Sequence, residues 1–198
     1  VVFRVDAAQT AGAIPIDVER DSVALLAFTG HKALFGPPGV GGLYVAPWVE
    51  IDPLICGGTG SRSEHEQQPD FLPDMLEAGT PNTAGLAAGV QFILDKGLNT
   101  IRDHEMRLTA RLLEGLSRIE KVTIYGPCDP QKQTATVSLN IKGLLPSDVG
   151  EALSERYDIA VRVGLHCAPS AHRTLGTFPN GTVRVSLSFF NTEDDVDA

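Results

Sequence analysis

Short, mainly apolar segments separated by loops rich in glycine and proline constrain this fold more than any other feature of the sequence. They cover residues 1–5, 23–28 and 42–45. Segments of this length without polar alternation are typical of strands that are buried on both faces of a parallel sheet. Residues 1–82 are therefore predicted to form a mainly parallel sheet with long loops at its edges.

The pattern changes after residue 82, where apolar side chains recur at the spacing of an amphipathic helix. One group of them precedes Gly97 and a second group follows it, which predicts two consecutive helices. The apolar positions are Leu86, Val90, Ile93 and Leu94, and then Ile101, Met106, Leu108, Leu112, Leu113 and Leu116.

The C-terminal part of the chain predicts a small domain that mixes strands and helices. The pattern indicates a strand over residues 135–141, a helix over 147–157, a short strand over 159–161 and a strand over 182–187. The predicted fold class is α/β, with a first domain over residues 1–96 and a small α+β domain over residues 97–198.

A long polar loop interrupts this small domain between Gly164 and Gly181, and it carries His166 and Cys167. Loops of this length inside compact domains are often functional. We therefore expect chemistry in this loop.

The composition excludes several classes of function. With 42% hydrophobic and 21% charged residues, the chain has the make-up of an ordinary globular protein. Its net charge of −9 and the lack of any Lys/Arg cluster argue against nucleic acid as a partner. No apolar run approaches the roughly 20 residues of a membrane span, so no membrane partner is expected. A small metabolite or another protein fits better.

The cysteines and histidines predict neither a disulfide framework nor a metal site. Cys56, Cys128 and Cys167 are odd in number and widely spaced, which fits a reducing cytoplasm. Three histidines lack a second ligand at metal spacing and are expected to be exposed or packed in loops. These histidines are His65, His104 and His172.

Both ends of the chain look cut. The sequence starts without Met in an apolar segment that is expected to need neighbouring strands on both sides. At the other end, Thr192 is suited to be an N-cap and the acidic residues after it suit a first helical turn, but the helix that should follow is expected to be missing. We therefore expect this chain to be the C-terminal half of a longer protein.

A lysine and an acid occupy matching positions after two of the predicted strands. Lys32 follows a strand in the segment Phe28-Thr29-Gly30-His31-Lys32, and Asp6 closes the preceding strand. The carboxyl ends of parallel strands meet at one sheet edge, where ligands bind in such folds. An acid and an amine together there suit a cofactor with a basic ring nitrogen and an aldehyde, as in pyridoxal-phosphate enzymes.

Four motifs, in order along nearly the whole chain, resemble the signatures of cysteine desulfurases and selenocysteine lyases. That family belongs to the class V aminotransferases of the fold type I pyridoxal-phosphate group. The motifs are Val5-Asp6-Ala7-Ala8-Gln9, Thr29-Gly30-His31-Lys32, Glu77-Ala78-Gly79-Thr80-Pro81-Asn82 and Arg162-Val163-Gly164-Leu165-His166-Cys167-Ala168.

The resemblance implies that pyridoxal 5′-phosphate is the cofactor and that Lys32 carries it. Asp6 is then expected to pair with the ring nitrogen, Gln9 to bond the ring hydroxyl and Ala8 to pack under the ring. An ionised Asp6 keeps the ring nitrogen protonated, which makes the ring an electron sink. Thr29 and His31 are expected to bind the phosphate.

The resemblance also implies a homodimer, because Thr59 in the segment Gly57-Gly58-Thr59-Gly60 is expected to reach the phosphate in the neighbouring subunit. An ordinary glycine-rich turn is the alternative for that segment. By the same resemblance, the chain is the latter part of a fold type I large domain followed by the small C-terminal domain.

Cys167 and two arginines are the candidates for substrate chemistry. The resemblance implies that Cys167 attacks the sulfur of the substrate and becomes a persulfide, with His166 and Arg162 favouring its thiolate. Arg184 lies in an otherwise apolar strand, and its planar guanidinium suits a bidentate grip on an amino-acid carboxylate. Arg162 is placed with it in substrate binding, although an internal salt bridge is the alternative for Arg184. Structural roles are expected for Cys56 and Cys128.

The predicted function is removal of sulfur or selenium from L-cysteine or L-selenocysteine, which leaves alanine and a persulfide for a sulfur-acceptor protein or iron–sulfur cluster assembly. One alternative is a class V aminotransferase or epimerase that does not use Cys167. Another is a non-catalytic fragment that only binds partners. The 198-residue chain alone is expected to retain little or no cofactor.

Overall fold

The computed structural model describes residues 1–55, 61–62, 64–67, 69–76 and 82–198. It contains two compact units, Val1–Leu98 and Asn99–Ala198. The domain boundary expected after residue 96 stays a prediction. None of the helices that the structure describes combines the length and the apolar character needed to cross a membrane.

The first unit contains a three-stranded sheet of β1 (Arg4–Asp6), β2 (Leu25–Thr29) and β3 (Gly41–Val45), in that order. The fold class is α/β, as predicted. The strand directions differ from a mainly parallel sheet within the described residues, because β1 and β2 are parallel but β2 and β3 are antiparallel. The connection over residues 30–40 explains this difference, since a parallel return needs a longer crossover.

A small core holds this sheet together. Its fully buried members are Ala7, Val23 and Leu26, and partly buried residues pack around them. The hydrogen bond from Ala7 N to Ala27 O, at 2.8 Å, extends the pairing of β1 and β2 past the end of β1. The loop after β1 is therefore tied to β2 at its first residue.

Helix α1 (Thr83–Lys96) packs with its glycines against the segment that follows β2. A Cβ atom at Gly89 would lie 2.3 Å from Leu34 O, and one at Gly85 would lie 2.8 Å from Pro37 Cδ. Because these contacts leave no space for a side chain, the backbone of α1 supports this segment directly. Gly97, at a φ of 84°, ends the helix as its C-cap, and its N–H donates to Ile93 O.

Gly12 is the point where the loop after β1 meets the segment after β2. Its φ is +85°, a conformation that side-chain-bearing residues rarely adopt, and a Cβ there would lie 2.4 Å from Ala33 O. Both the conformation and the close approach therefore require glycine. The two loops that carry Asp6 and Lys32 are in backbone contact at this position.

The second unit contains a four-stranded sheet of order β4-β5-β7-β6, in which all neighbouring strands are antiparallel. Its elements follow helix α2, which spans Leu98–Ser117. They are β4 (Val122–Tyr125), a 3-10 turn (Pro130–Lys132), β5 (Thr136–Ile141), α3 (Pro146–Tyr157), β6 (Arg162–Gly164), α4 (Pro169–Leu175), β7 (Thr182–Ser186) and α5 (Glu193–Asp197).

One face of this sheet is apolar and packs on α3. Leu139, Val149 and Val183 form the buried cluster. The opposite face carries Ser138 and Arg184, which are directly paired across β5 and β7. The period of two along each strand thus separates an apolar face from a polar one.

Two of the predictions for this unit need correction. The predicted strand over residues 159–161 is wrong, because Ile159 N donates to Leu153 O at the end of α3 and the paired strand begins only at Arg162. Helix α4 lies inside the segment that was expected to be a loop. It is too short and too polar to show an apolar period, and Pro169 at its first turn fits a helix start.

The last helix was expected to be missing from this chain, but a short helix, α5, follows Thr192 directly. The Thr192 side chain accepts from Asp195 N, and the Asp195 carboxylate accepts from Thr192 N, which makes a reciprocal capping box. Arg111 of α2 holds the other end of α5 through Nε, which lies 2.6 Å from the Asp197 carboxylate.

We expect Gly12→Ala to destabilise the protein more than Gly39→Ala does. Both glycines have a φ near +85°, but only the Cβ at position 12 would meet other atoms, since nothing lies within 4 Å of one at position 39. Backbone strain alone should cost about 1 kcal/mol at Gly39, and the added collision should bring the cost at Gly12 to about 3 kcal/mol. Denaturant unfolding of the two variants measures the difference, and equal losses would contradict the close approach.

Candidate active site

The parallel pairing of β1 and β2 brings the first group of predicted site residues to one sheet edge. Asp6 ends β1 opposite Ala27, and Thr29 ends β2. Because both strands run in the same direction, the turns that follow them leave the sheet at the same edge. His31 and Lys32 lie in the second of these turns. The roles assigned to these residues stay predictions.

The Asp6 carboxylate is oriented by its own loop. It is exposed, and its Oδ1 accepts a hydrogen bond from Ala8 N at 3.0 Å. Among the residues that the structure describes, no Lys or Arg lies within ion-pairing distance of it. Ala8 is half-buried and Gln9 is exposed beside it. This edge therefore presents a carboxylate whose charge is not neutralised by a described cation.

Backbone hydrogen bonds close the turn that carries Lys32. Gly30 N donates to Val40 O and Gly36 N donates to Gly30 O, each at 2.8 Å. Within the turn, Phe35 N donates to Lys32 O at 3.0 Å. The turn is thus fixed while the Lys32 side chain is exposed, and no described carboxylate pairs with it.

Thr29 and His31 form a polar pair beside this lysine. Thr29 Oγ1 lies 2.9 Å from His31 Nδ1, so the two side chains share a hydrogen bond. A hydroxyl and an imidazole at the end of a strand are suitable donors for an anionic group. The side chains expected to bind phosphate therefore lie together.

Sequence patterns did not single out Gly12 or Gly89, although both fix the position of the Lys32 turn. Gly12 contacts Ala33 and Gly89 contacts Leu34 and Phe35 through backbone atoms. No periodicity marks such contacts, because they depend on which loops meet in three dimensions. The segment Thr10-Ala11-Gly12 offers only the general association of glycine with turns.

In the second unit, Arg162 and Arg184 form a direct cross-strand pair on the polar face of the sheet. Like charges at such positions repel each other, which is unfavourable unless an anion lies between them. Arg184 Nε is buried and has no hydrogen-bond partner in the part of the chain that is described. No described carboxylate pairs with either guanidinium. These observations favour an anion-binding role over an internal salt bridge.

Cys167 lies in a tight turn directly after β6. His166 and Cys167 have φ values of 50° and 61°, so two consecutive side-chain-bearing residues adopt the left-handed conformation. The hydrogen bond from Ala168 N to Leu165 O, at 2.8 Å, closes the turn around them. Such strain is concentrated at functional sites. The turn presents Cys167 as an exposed free thiol.

His166, which precedes Cys167 in the chain, is half-buried. Its Nε2–H donates to Arg162 O at 3.2 Å, since a carbonyl oxygen only accepts. Burial lowers the pKa of His166, and the positive charges of Arg184, His172 and Arg162 lower it further, whereas the bond to the carbonyl opposes them. The neutral imidazole is therefore favoured, with its lone pair on Nδ1.

Some of the remaining predicted residues lie outside the described part of the chain, and the others are exposed, half-buried or buried. Thr59 and Cys56 lie outside the described residues, as do residues 77–81 of the third motif. Cys128, for which a structural role is expected, is exposed. His65 is exposed, and His104 Nε2 donates to Asn191 O at 2.9 Å. His172 was expected to be exposed or packed in a loop, but it is buried within helix α4.

Comparison with known proteins places this arrangement in a family. The family model for class V aminotransferases matches residues 1–198. A probable cysteine desulfurase from Pyrococcus abyssi is 39% identical over 99% of this chain and 50% of its own length. A probable cysteine desulfurase from Methanothermobacter thermautotrophicus is 36% identical over 98% of this chain and 50% of its own length.

Solved structures agree with the sequence relatives. The apo structure of the cysteine desulfurase from Thermococcus onnurineus NA1 matches with a TM-score of 0.85 and 39% identity, over 99% of this chain and 50% of that one. The Escherichia coli cysteine desulfurase CsdA matches with a TM-score of 0.80 and 32% identity, over 99% and 49%. This chain spans about half the length of these proteins. It belongs to the class V aminotransferase family, and the relatives named above are cysteine desulfurases or probable cysteine desulfurases.

Proposed function

We propose that the full-length protein is a pyridoxal-phosphate-dependent cysteine desulfurase. It removes sulfur from L-cysteine, or selenium from L-selenocysteine, and leaves alanine and a persulfide on Cys167. The observation that carries this proposal is the parallel pairing of β1 and β2, because it puts the Asp6 carboxylate and the Lys32 amine at one sheet edge. The family relationship supports the same conclusion.

The residues at this edge fit pyridoxal phosphate by their chemistry. An acid suits its ring nitrogen, an amine suits its aldehyde, and the Thr29–His31 pair suits its phosphate. Neither Asp6 nor Lys32 is neutralised by a partner in the described part of the chain. When bound, the cofactor supplies an electron sink for negative charge at the substrate α-carbon.

The protein side chains have separate tasks in this proposal. Lys32 carries the cofactor and, once released from it, moves the α-proton of the substrate. Ala8 packs under the ring and Gln9 bonds the ring hydroxyl. Thr59 of a second copy completes the phosphate site, so the active protein is a homodimer.

Arg184 and Arg162 bind the substrate carboxylate. Their direct cross-strand pairing places two guanidinium groups on one face, and the buried Nε of Arg184 needs an acceptor. A carboxylate supplies that acceptor and relieves the repulsion between the two charges. This assignment explains why β7 carries a cation between Val183 and Val185.

Cys167 then takes the sulfur atom. Its thiolate attacks the substrate sulfur, so a sulfur–sulfur bond forms and the bond between that sulfur and the β-carbon breaks. The electron pair of the broken bond stays with the carbon, which takes up a proton and becomes the methyl group of alanine. The persulfide on Cys167 passes its outer sulfur to an acceptor protein, for example for iron–sulfur cluster assembly. This transfer takes place in the cytoplasm.

We expect Lys32→Ala to abolish the visible absorbance band of the full-length protein loaded with pyridoxal phosphate. The band requires a covalent link between the cofactor and an amine. Lys142→Ala removes another exposed lysine and should keep the band. Absorbance spectra before and after desalting provide the test. A wild-type protein without the band would refute the cofactor assignment.

Cys167→Ser should reduce sulfide release by at least about 1,000-fold, because serine cannot accept sulfur. Cys128→Ser is the matched control, since Cys128 is also exposed and also has a positive φ. The cofactor band should persist in both variants. If Cys167→Ser keeps amino-acid turnover, the protein is instead an aminotransferase or epimerase.

Arg184→Gln should raise KM for L-cysteine by about 10- to 100-fold, as expected for loss of a charge-assisted bidentate contact. Arg156→Gln, an exposed change on α3, should leave KM unchanged. Steady-state kinetics distinguish the two variants. An unchanged KM in Arg184→Gln would show that the arginine pair binds something other than substrate.

A further inference from the structure

His172 is the one fully buried histidine among the residues that the structure describes, with 6% of its surface exposed. Its Nδ1 lies 2.7 Å from Thr177 Oγ1, which is also buried. A buried imidazole without a polar partner is costly, so this bond is part of what allows His172 to occupy its position. The proposed function above gives His172 no task.

The bond between His172 and Thr177 closes the end of the segment that begins at Cys167. His172 N donates to Ala168 O at the start of α4, while Thr177 N and Phe178 N both donate to His172 O after its end. Gly181 N then donates to Thr177 O at 2.7 Å, directly before β7. Position 172 therefore links the turn of Cys167 to the strand of Arg184.

The His172 ring also contacts His166. The two ring centroids are 5.8 Å apart and the rings are tilted by 51°. On its other side, His166 donates from Nε2 to Arg162 O. His166 is thus held between the carbonyl of β6 and the buried ring of α4. Its free lone pair is on Nδ1, and Cys167 is its neighbour in the chain.

We propose that His172, fixed by Thr177, is a positioning residue that holds His166 where His166 can accept the proton of the Cys167 thiol. In that step the S–H bond breaks, the proton goes to His166 Nδ1, and the electron pair remains on sulfur as a thiolate. The inference rests on the proposed function only in the use made of this thiolate.

Three charged or titratable groups face His166 within this unit. Arg162 faces it from β6, Arg184 from β7 and His172 from α4, and burial and these charges lower the pKa of His166. An imidazole kept neutral in this way retains its accepting lone pair at neutral pH. The imidazolium formed by the transfer is favoured by the adjacent thiolate.

Thr177→Val tests the proposal, because it removes the hydroxyl and keeps the branched shape. Thr174→Val is the matched control, because Thr174 lies nearby in α4 and its exposed hydroxyl bonds only to Ser170 O. The measurement is the rate of Cys167 alkylation by iodoacetamide against pH, in full-length protein that also carries Cys128→Ser. We expect alkylation at pH 7 to fall at least about threefold in Thr177→Val, with the profile shifted to higher pH. The Thr174→Val profile should match that of the parent.

Two further variants separate positioning from general destabilisation. His172→Asn keeps a donor near the Nδ1 position for Thr177 but removes the ring that contacts His166, and it should slow alkylation as Thr177→Val does. It also serves as the test if Thr177→Val does not fold. In a His166→Ala background, Thr177→Val should add no further slowing, because both changes act through one group.

Unchanged alkylation profiles in Thr177→Val and His172→Asn would overturn the proposal. So would a shift that persists in full without His166. Alkylation needs neither cofactor nor substrate, so it reports on the thiol even if Cys167→Ser were to show that this cysteine is not the sulfur acceptor. The two proposals can therefore fail separately.

Discussion

The parallel pairing of β1 with β2 is the constraint on which the candidate site depends. An antiparallel arrangement would send the two following turns to opposite edges and would separate Asp6 from Lys32. The register sets Asp6 opposite Ala27, and the hydrogen bond from Ala7 N to Ala27 O continues the pairing of the two strands into the first turn. Gly12 and Gly89 then fix the second turn through backbone contacts. The positions of the candidate side chains are thus set by main-chain hydrogen bonds and backbone contacts.

The sheet of the second unit carries charged side chains on one face and packs its other face into a hydrophobic core. Alternation along β5 and β7 sends Leu139 and Val183 to the apolar face and Arg184 to the other. The cross-strand pairing of Arg162 with Arg184 costs free energy through charge repulsion. In the proposed carboxylate site, a bound anion would relieve this repulsion, so stability and binding would be opposed at this pair.

Periodicity and strand order made much of this architecture predictable. Helices α1 and α2 were predicted because their apolar residues repeat at helical spacing, and Asp6 and Lys32 because both follow apolar strands. The start of β6 was misplaced because the apolar residues before it bond to the end of α3 instead of pairing in the sheet. The burial of His172 and the contacts of Gly12 could not be predicted, since both depend on contacts between segments that no local pattern encodes.

Chemical trapping of the cofactor would identify the lysine that binds it. Borohydride reduction of the full-length protein loaded with pyridoxal phosphate makes the link to the lysine permanent, and peptide mass mapping then identifies the residue. We expect the cofactor mass on the peptide that contains Lys32. Its recovery on Lys96, Lys121, Lys132 or Lys142, or on no lysine of this chain, would show that Lys32 does not carry the cofactor.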